Sequence, residues 1–326
     1  MEESIGMNIT VIGTGRWGSC IGWYCASVLH HDVVLCGQSD APDYIQLSKH
    51  RKNDFLTLPD SIVLTDNKAE ALAHADYIIV SIGAQNFRSF LKDLVSKHDI
   101  TGKTFILCMK GMESSTGKRL TEIFTEETGS DKVAVWVGPG HVQDYYAGRP
   151  SCMIIASHDI ELTKYLVSLF NSKLIRFYYS NDLIGCEIGA AAKNVMGIAA
   201  GMLDGFNFPG LKGALMARGA REVARLIEAM GGEGITAYGL AHLGDYQATL
   251  FSEFSHNRMY GEKYIKGEKM ERLAEGVDTS SAMVVLGEKY GVDLPISKVV
   301  NDILFKNREP HEALESLFDR ENKFEF

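Results

Sequence analysis

The sequence predicts an α/β protein with a mostly parallel sheet in its N-terminal part and helices alone in its C-terminal part. Short β-branched runs alternate with helix-forming segments as far as Tyr178, and strand signals stop near Asp182. Such continuous apolar strands imply a sheet covered on both faces by helices. With 326 residues, 45% of them hydrophobic, the chain can form two domains, which we place at residues 1–182 and 183–326.

Eight strands are expected, at residues 8–12, 33–36, 62–65, 77–81, 104–108, 133–137, 152–156 and 174–178. Helices are predicted between them at 68–73, 87–96, 117–128, from 142, and at 160–171. In the C-terminal part the apolar spacing predicts helices at 182–203, 211–230, 236–240, 280–289, 297–305 and 311–319.

A glycine-rich turn directly follows the first strand and leads into a helix. It has the pattern G-x-G-x-x-G, formed by Gly13, Gly15 and Gly18. The first glycine permits the turn, the second lets the backbone approach a pyrophosphate, and the third lets helix and strand pack closely. Free N–H groups at the helix start then face the phosphates. The context predicts a Rossmann-type dinucleotide-binding domain.

The end of the second strand should carry the residue that reads the adenosine ribose. An acidic residue there favours NAD and an arginine favours NADP. This chain has Gly37, Gln38, Ser39 and Asp40 at that place, with a neutral glutamine and an aspartate that comes slightly late. The sequence therefore leaves both NAD and NADP open as cofactors.

Charge and composition narrow the class of partner. The formal net charge of −9 disfavours nucleic acid and anionic membranes. The first six residues lack the apolar core of a signal peptide, and no apolar run is expected to span a bilayer. The six cysteines show no metal-ligand spacing and are expected to be reduced core residues. We therefore expect a cytoplasmic protein without an integral membrane segment or a bound metal.

One helix in the C-terminal part carries a stripe of glycines with a lysine at its centre. Gly185, Gly189, Lys193, Gly197 and Gly201 recur every fourth residue and so share one face. Each helical glycine costs about 1 kcal/mol relative to alanine, so the stripe indicates a close approach by another backbone, a helix or a flat ligand. Lys193 is either a buried group that exchanges a proton at neutral pH or a lysine that extends from a packed helix to the surface.

Further polar candidates lie at strand ends and in the C-terminal part. The carboxyl ends of parallel strands bind ligands, so Lys110 is expected to point into a cleft, although a solvated loop lysine is the alternative. Asp245, between a glycine and an aromatic, can fix and balance the charge of Lys193 or cap a helix. Ser252, Ser255, Asn257 and Arg258 offer donors suited to a phosphate, or belong to a polar loop with capping residues.

Together these motifs resemble the NAD(P)-dependent sn-glycerol-3-phosphate dehydrogenase family from about Met7 to Phe318. The resemblance is carried, in order, by Gly13-x-Gly-x-Trp-Gly18, Lys110-Gly111, Gly138-Pro-x-His141, Lys193-Asn194 with Gly201, Gly244-Asp245, Ser255-x-Asn257-Arg258 and Glu275-Gly276. It implies an N-terminal Rossmann domain, a C-terminal all-helical domain, and the reduction of dihydroxyacetone phosphate to sn-glycerol 3-phosphate for glycerophospholipid synthesis.

The resemblance also implies roles for individual residues. Lys193 is the proton donor or acceptor, with Lys110 and Asp245 completing the polar site. The residues implied to hold the substrate are Gly138, Ser255 and Asn257, and those implied to border the nicotinamide cofactor are Arg16, Trp17, Val142 and Glu275. Lys193, Lys110 and Asp245 are also indicated by their own sequence context.

Three departures separate this chain from the family pattern. Gly140 stands where the family usually has serine, which removes one hydroxyl. His256 stands where the family usually has an arginine associated with both the substrate phosphate and the cofactor, and Arg258 is the residue that can compensate. The second strand lacks the family's common basic residue. The lost serine and arginine favour, as an alternative, a related dehydrogenase acting on another small phosphate or hydroxy acid. A dinucleotide-binding regulator without turnover is a second alternative, against which the retention of Lys110, Lys193 and Asp245 together argues. The expected partner is a small phosphate substrate, with a homodimer left open.

Overall fold

The computed structural model describes residues 6–252, 255–270, 274–322 and 324–325, apart from the side chains of Gln247 and Ala248. The chain forms two compact units. The first unit comprises Met1–Lys110 and Leu120–Cys186, and the second comprises Gly111–Arg119 and Glu187–Phe326. These units are groups of residues that pack together. The division into domains at residues 1–182 and 183–326 stays a prediction.

The first unit is built on one eight-stranded sheet. Its strands are β1 Asn8–Ile12, β2 Asp32–Cys36, β3 Val63–Thr65, β4 Tyr77–Val80, β5 Thr104–Leu107, β6 Val133–Val137, β7 Ser151–Ala156 and β8 Ile175–Ser180. Their order is β3-β2-β1-β4-β5-β6-β7-β8, and all neighbours are parallel except β6 and β7. The mostly parallel sheet predicted from the sequence is confirmed.

Seven helices accompany these strands. They are α1 Arg16–Ser27, α2 Pro42–His50, α3 Lys68–His74, α4 Phe87–Lys97, α5 Leu120–Thr128, α6 Val142–Tyr146 and α7 Ile160–Phe170. The side chains of Asn67 and Asp159 cap α3 and α7 by accepting backbone N–H groups. The predicted start of α5 at residue 117 was three residues early, because Gly117 has φ of +68° and cannot continue a right-handed helix.

Helix α2 was absent from the sequence prediction. Its composition is polar, with Leu47 its buried residue, so it shows little apolar periodicity. It begins at Pro42 and ends at His50, and the next residue, Arg51, has a left-handed φ of 54°. Pro42 is the signal in the sequence that marks the start of this helix.

The core of the first unit lies between the strands and α1, α6 and α7. Trp136 on β6 is fully buried, and its ring packs edge-on against Phe177 with ring centres 4.7 Å apart. Tyr24 and Phe170 contact the same tryptophan ring from α1 and α7. Burial of these aromatic and β-branched side chains fixes the sheet and so the positions of the loops at its strand ends.

The named elements in the described part of the second unit are all helical, as predicted. The α-helices are α8 Leu183–Gly205, α9 Lys212–Ala229, α10 Asp245–Phe251, α11 His256–Ile265, α12 Glu275–Tyr290, α13 Pro295–Lys306 and α14 Pro310–Glu315, and the division between the units falls within α8. A 3₁₀ turn at Gly234–Tyr238 and a π-helical turn at Leu240–Gly244 precede α10. Helices α10 and α11 were not predicted, since α10 has only seven residues and α11 is too polar to show a clear apolar face.

Among the described residues, helix α8 is long and apolar enough to cross a membrane. Its most apolar 18-residue window is 89% buried inside the protein, which is the situation of a core helix. The side chain of Asp182 accepts the backbone N–H of Gly185 and so caps its start.

The glycine stripe on α8 permits the close approach that the sequence predicted. A Cβ on Gly201 would lie 1.9 Å from the carbonyl oxygen of Arg258 on α11. In the opposite direction, a Cβ on Gly261 of α11 would lie 2.1 Å from the carbonyl oxygen of Ile198. The closely approaching element is therefore the backbone of α11, which brings the first turn of α11 against the turn of α8 that follows Lys193.

Candidate active site

The glycine-rich turn joins β1 to α1 in a conformation that requires two of its three glycines. Gly13 has φ of +116°, and a Cβ there would lie 2.1 Å from the carbonyl oxygen of Ser81. A Cβ on Gly18 would lie 2.0 Å from the carbonyl oxygen of Gly13. Both contacts are impossible for any other residue, so the turn packs against the end of β4 as the sequence pattern predicts.

Gly15 has open space where a side chain would otherwise stand. It is the N-cap residue of α1, no side chain caps the helix there, and the nearest atom to an added Cβ is Asp43 Oδ2 at 3.6 Å. The first N–H groups of a helix have no intrahelical partner and attract an anion. This open cradle at a helix start fits the pyrophosphate of a dinucleotide.

The two residues that follow Gly15 are held by other parts of the first unit. Arg16 donates from Nη2 to Gln143 Oε1 on α6 at 2.9 Å, and its guanidinium lies 4.7 Å from the centre of the Phe55 ring. Burial lowers the pKa of Arg16 from its ordinary value. The Trp17 ring lies 6.0 Å from that of Tyr145, and among the described residues its buried indole N–H has no acceptor. These side chains border the turn where a cofactor is expected.

Lys110 lies at the end of β5, as the strand pattern predicts. Its Nζ donates to the carbonyl oxygen of Gly138 at 2.7 Å and lies 6.0 Å from the centre of the Trp17 ring. Gly138 has φ of +130°, so a glycine is needed at the turn that presents this carbonyl. The alternative of a solvated loop lysine does not fit a partly buried ammonium held beside an indole.

A tyrosine explains the glycine at position 140. A Cβ on Gly140 would lie 2.1 Å from the hydroxyl oxygen of Tyr145, which donates to the carbonyl oxygen of Pro139 at 2.9 Å. The Tyr145 ring thus occupies the space that a side chain at residue 140 would need. His141 is the N-cap residue of α6, and Val142, the first residue of that helix, is buried.

In the second unit Lys193 and Asp245 form a buried ion pair. Lys193 Nζ lies 2.9 Å from Asp245 Oδ1, with side-chain exposures of 11% and 4%. Lys193 also donates to the hydroxyl of Thr249 at 3.3 Å, and that hydroxyl donates to the carbonyl oxygen of Asp245 at 2.8 Å. The carboxylate and hydroxyl hold the ammonium inside the second unit, so Lys193 does not extend to the surface, and its exchange of a proton stays a prediction.

A chain of amides lies next to Lys193. Asn257 Nδ2 donates to Asn194 Oδ1 at 3.0 Å, and Asn257 Oδ1 accepts the backbone N–H of Gly276 at 2.9 Å. Asn194 Nδ2 in turn donates to Glu275 Oε2 at 3.4 Å. This network ties α8, α11 and α12 together and brings three residues named by the sequence, Lys193, Asn257 and Glu275, into one region.

The remaining phosphate candidates lie at the start of α11. Ser255 is its N-cap and accepts the backbone N–H of Arg258 at 3.3 Å, and His256 is its first residue. Arg258 donates from Nη1 to Asp204 Oδ2 at 2.7 Å and to Glu262 Oε2 at 3.0 Å, and from Nε to the Ser252 carbonyl. Two carboxylates already balance the charge of Arg258, so compensation for His256 by this arginine stays a prediction.

Two polar residues of this region were not selected from the sequence. Thr249 lies four residues after Asp245 and Asn194 directly follows Lys193, so each neighbours a residue that was selected. The signal for Thr249 was its i, i+4 spacing on α10, which places both side chains on one face. Because α10 was not predicted as a helix, that spacing carried no meaning at the sequence level.

Two family models match the chain. The model described as the N-terminus of NAD-dependent glycerol-3-phosphate dehydrogenase matches residues 8–163, and the model described as its C-terminus matches residues 182–315. A glycerol-3-phosphate dehydrogenase [NAD(P)+] of Fusobacterium nucleatum is 33% identical over 334 residues, covering 98% of each chain. One of the same name from Bacillus pumilus is 35% identical, covering 96% of this chain and 94% of the relative.

Solved structures share the fold. A glycerol-3-phosphate dehydrogenase from Coxiella burnetii superimposes with a TM-score of 0.89 at 23% identity, covering 97% of this chain and 99% of the other. The glycerol-3-phosphate dehydrogenase of Saccharomyces cerevisiae gives a TM-score of 0.79 at 20% identity, covering 97% of this chain and 100% of the other. At these identities the structures establish the fold alone.

Proposed function

Since the chain belongs to the NAD-dependent glycerol-3-phosphate dehydrogenase family, we propose that it interconverts dihydroxyacetone phosphate and sn-glycerol 3-phosphate with NAD(H) or NADP(H), using Lys193 as the proton donor and acceptor. The observation that carries the assignment of Lys193 is its buried ion pair with Asp245. A lysine fixed by a carboxylate and a hydroxyl, on a helix face made of glycines, is suited to proton transfer.

The glycine-rich turn would hold the cofactor. The open space at Gly15 and the uncapped start of α1 suit the pyrophosphate, and Arg16, Trp17 and Val142 lie on or beside this turn. Glu275, in the second unit, is assigned to the cofactor by family resemblance. When bound, the nicotinamide supplies or accepts a hydride at its C4 carbon.

Proton transfer is assigned to Lys193. In the reducing direction C2 of the ketone gains a hydride while its carbonyl π bond breaks, and the oxygen takes a proton from the Lys193 ammonium. In the oxidising direction the amine takes that proton back. Asp245 and Thr249 hold Nζ in place. Lys110 adds a positive charge that can stabilise negative charge developing on oxygen.

The phosphate of the substrate is assigned to the start of α11. His256 and Asn257 occupy its first turn, where helix N–H groups favour an anion, and Ser255 caps it. Gly138 contributes its carbonyl by holding Lys110. We give Arg258 a supporting part, since its guanidinium is paired with Asp204 and Glu262.

The broader setting also belongs to the proposal. A protein of this family supplies sn-glycerol 3-phosphate for glycerophospholipid synthesis, and we place it in the cytoplasm, with residues 1–182 and 183–326 as its domains and a homodimer as its assembly. Size-exclusion chromatography with light scattering distinguishes a dimer from a monomer.

A spectrophotometric assay tests the activity. Oxidation of NADH and of NADPH is followed with dihydroxyacetone phosphate, with unphosphorylated dihydroxyacetone, and with small keto acids as comparison substrates. We expect turnover with dihydroxyacetone phosphate and far less without the phosphate. Turnover with a keto acid, and none with dihydroxyacetone phosphate, would overturn the proposal.

A further inference from the structure

A buried histidine next to the ion pair has no part in the reaction described above. His242 lies in the π-helical turn Leu240–Gly244, directly before α10, and its side chain is fully buried. Single π-turns inside or beside α-helices occur often at functional sites. This buried imidazole lies three residues before Asp245.

The imidazole of His242 is hydrogen-bonded to the helix that carries Lys193. Its Nδ1 lies 2.8 Å from the carbonyl oxygen of Gly189 on α8. Since a carbonyl can only accept, Nδ1 carries the proton. Burial lowers the pKa of His242 to about 4, partly opposed by the Gly189 carbonyl and Asp245, so the ring is neutral at pH 7. A neutral ring protonated on Nδ1 leaves Nε2 as an acceptor.

The acceptor of this hydrogen bond is informative. Gly189 lies four residues before Lys193, so in α-helical geometry its carbonyl accepts the backbone N–H of Lys193. His242 is thus attached to the turn of α8 that presents the lysine. Three residues later in the same segment, Asp245 binds the other end of that lysine, at Nζ.

We propose that His242 is a positioning residue, which fixes the distance between the Asp245 carboxylate and the Lys193 ammonium by tying the π-turn to α8 through the Gly189 carbonyl. This inference rests on the proposed proton-transfer role of Lys193. With both attachments in place, the segment from His242 to Asp245 cannot slide along α8 without breaking a hydrogen bond. Small displacements of reacting groups have large kinetic effects, about 100-fold for 1 Å.

The packing around His242 shows that the attachment is closely fitted. A Cβ on Gly189 would lie 3.0 Å from the Cβ of His242, so glycine at that position is what lets the two segments approach. The imidazole also lies against the ring of Tyr246, with centres 5.3 Å apart and an angle of 30°. A side chain at residue 189 would push the histidine away from α8 by a few tenths of an ångström.

The unpaired ring nitrogen of His242 favours a positioning role for this residue over a role in core packing alone. Within the described part of the chain, Nε2 of His242 is buried and has no hydrogen-bond partner. An unsatisfied buried acceptor weakens the folded state, so a phenyl ring of similar shape would serve packing better. A histidine here is therefore better explained by the hydrogen bond of its Nδ1 than by stability.

The test compares His242→Phe with His242→Asn. Phenylalanine keeps a ring against Tyr246 but has no donor, whereas asparagine places an amide N–H close to the position of Nδ1. We expect His242→Phe to melt at or above the wild-type temperature, yet to lower kcat for dihydroxyacetone phosphate by about tenfold to a hundredfold. The KM for dihydroxyacetone phosphate, and the Kd for NADH measured by fluorescence titration, should stay within about threefold, because the side chain of His242 is fully buried. His242→Asn should recover most of the lost kcat.

A second pair of variants keeps the test independent of how well a histidine mutant folds. Gly189→Ala should lower kcat in the same way, and Gly213→Ala on α9, where an added Cβ meets nothing within 4 Å, is its control. Wild-type kcat in a folded His242→Phe or in Gly189→Ala would overturn the inference, as would an asparagine variant no better than phenylalanine. Failure of the wild type itself to reduce dihydroxyacetone phosphate would instead overturn the proposed function.

Discussion

Lys193 Nζ and Asp245 Oδ1 are 2.9 Å apart, although the two residues are 52 positions apart in the chain. Both side chains are almost completely buried. Removing two charges from water is costly. The Coulomb attraction between the two groups, together with the hydrogen bond from Lys193 to the Thr249 hydroxyl, offsets that cost only if the geometry is maintained. A pair kept at such a cost beside a helix of glycines is better explained by catalysis than by stability, and the first prediction follows from it.

Replacing Lys193 by alanine should abolish turnover and leave cofactor binding nearly intact. A general acid–base group contributes about 100- to 10,000-fold to the rate, and this lysine lies in the second unit, outside the glycine-rich turn. The measurements are kcat with dihydroxyacetone phosphate and NADH affinity by fluorescence titration. A mutant that kept more than half the wild-type rate would remove Lys193 from the mechanism. Lys164→Ala, at an exposed lysine of α7, is the matched control.

The glycine-rich turn allows two substitutions with opposite consequences. Gly15→Val should fold and lose affinity for NADH and NADPH alike, because its side chain enters open space at the helix start. Gly18→Val should fail to fold, because even its Cβ would collide with the carbonyl oxygen of Gly13. Calorimetric titration and circular dichroism distinguish the two. Unchanged affinity in a folded Gly15→Val protein would contradict this placement of the cofactor.

His256→Arg should lower KM for dihydroxyacetone phosphate with little change in kcat. An arginine fork forms bidentate, permanently charged hydrogen bonds to a phosphate, and histidine cannot reproduce them. Unphosphorylated dihydroxyacetone serves as the control substrate, since its KM should not change. If KM for the phosphate stays the same in the arginine variant, residue 256 does not contact the phosphate. Arg258→Lys, which disturbs the pairs with Asp204 and Glu262, should instead reduce thermal stability.

Arg119 and Glu187 form a buried ion pair within the second unit, with Nη1 2.6 Å from Oε2 and side-chain exposures of 9% and 6%. Removing one partner leaves an uncompensated buried charge, so Arg119→Met should destabilise the fold by about 3–5 kcal/mol. Methionine at both positions should recover much of that loss. The free energies of unfolding are compared through urea unfolding midpoints. The exposed pair Glu161 and Lys164 is the reference, since replacing one of its partners should hardly change the midpoint.

His242 makes the stability of the protein depend on pH. Its pKa falls from 6.5 to about 4 on folding because burial disfavours the charged ring, with Asp245 and Lys193 as the charged groups facing it. Between these values the unfolded chain binds more protons, so stability is complete above pH 6.5 and is lost as pH falls toward 4. The full effect is about 3 kcal/mol.

The pH dependence can be assigned by comparing variants. Urea midpoints measured from pH 7 downward should fall less steeply in His242→Phe than in the wild type. His31, whose pKa is also lowered by burial, lies in the first unit and contributes a separate slope that the variant retains. Identical slopes in the two proteins would mean that His242 is not buried as a neutral ring.

The sequence by itself determined the sheet and the glycine-rich turn between β1 and α1. All eight strands lie within a few residues of their predicted places, because most of them, such as β6, are apolar runs whose burial is encoded locally. The close backbone contacts at Gly13 and Gly18 were likewise indicated by the G-x-G-x-x-G spacing, because only a residue without a Cβ fits at either position. Lys193 was identified because a charged residue in a stripe of glycines breaks the local pattern.

The elements that the sequence did not predict are those whose local signal is weak. Helices α2, α10 and α11 are short or polar, and α12 begins at Glu275 rather than at the predicted residue 280. Strand β7 runs antiparallel to β6, which no apolar run can reveal because strand direction depends on the path of the connecting chain.

The tertiary structure alone decided which polar residues meet. In the sequence Asp245 could equally be a capping residue, and the structure shows its carboxylate on Lys193. Thr249 and His242 become recognisable only when α10 and the π-turn before it are packed against α8. Arg258 was a candidate phosphate ligand in the sequence, and in the structure its guanidinium forms ion pairs with Asp204 and Glu262. The physical reason is range: periodicity records whether a side chain is buried, whereas a hydrogen bond between residues 52 positions apart depends on how whole helices pack.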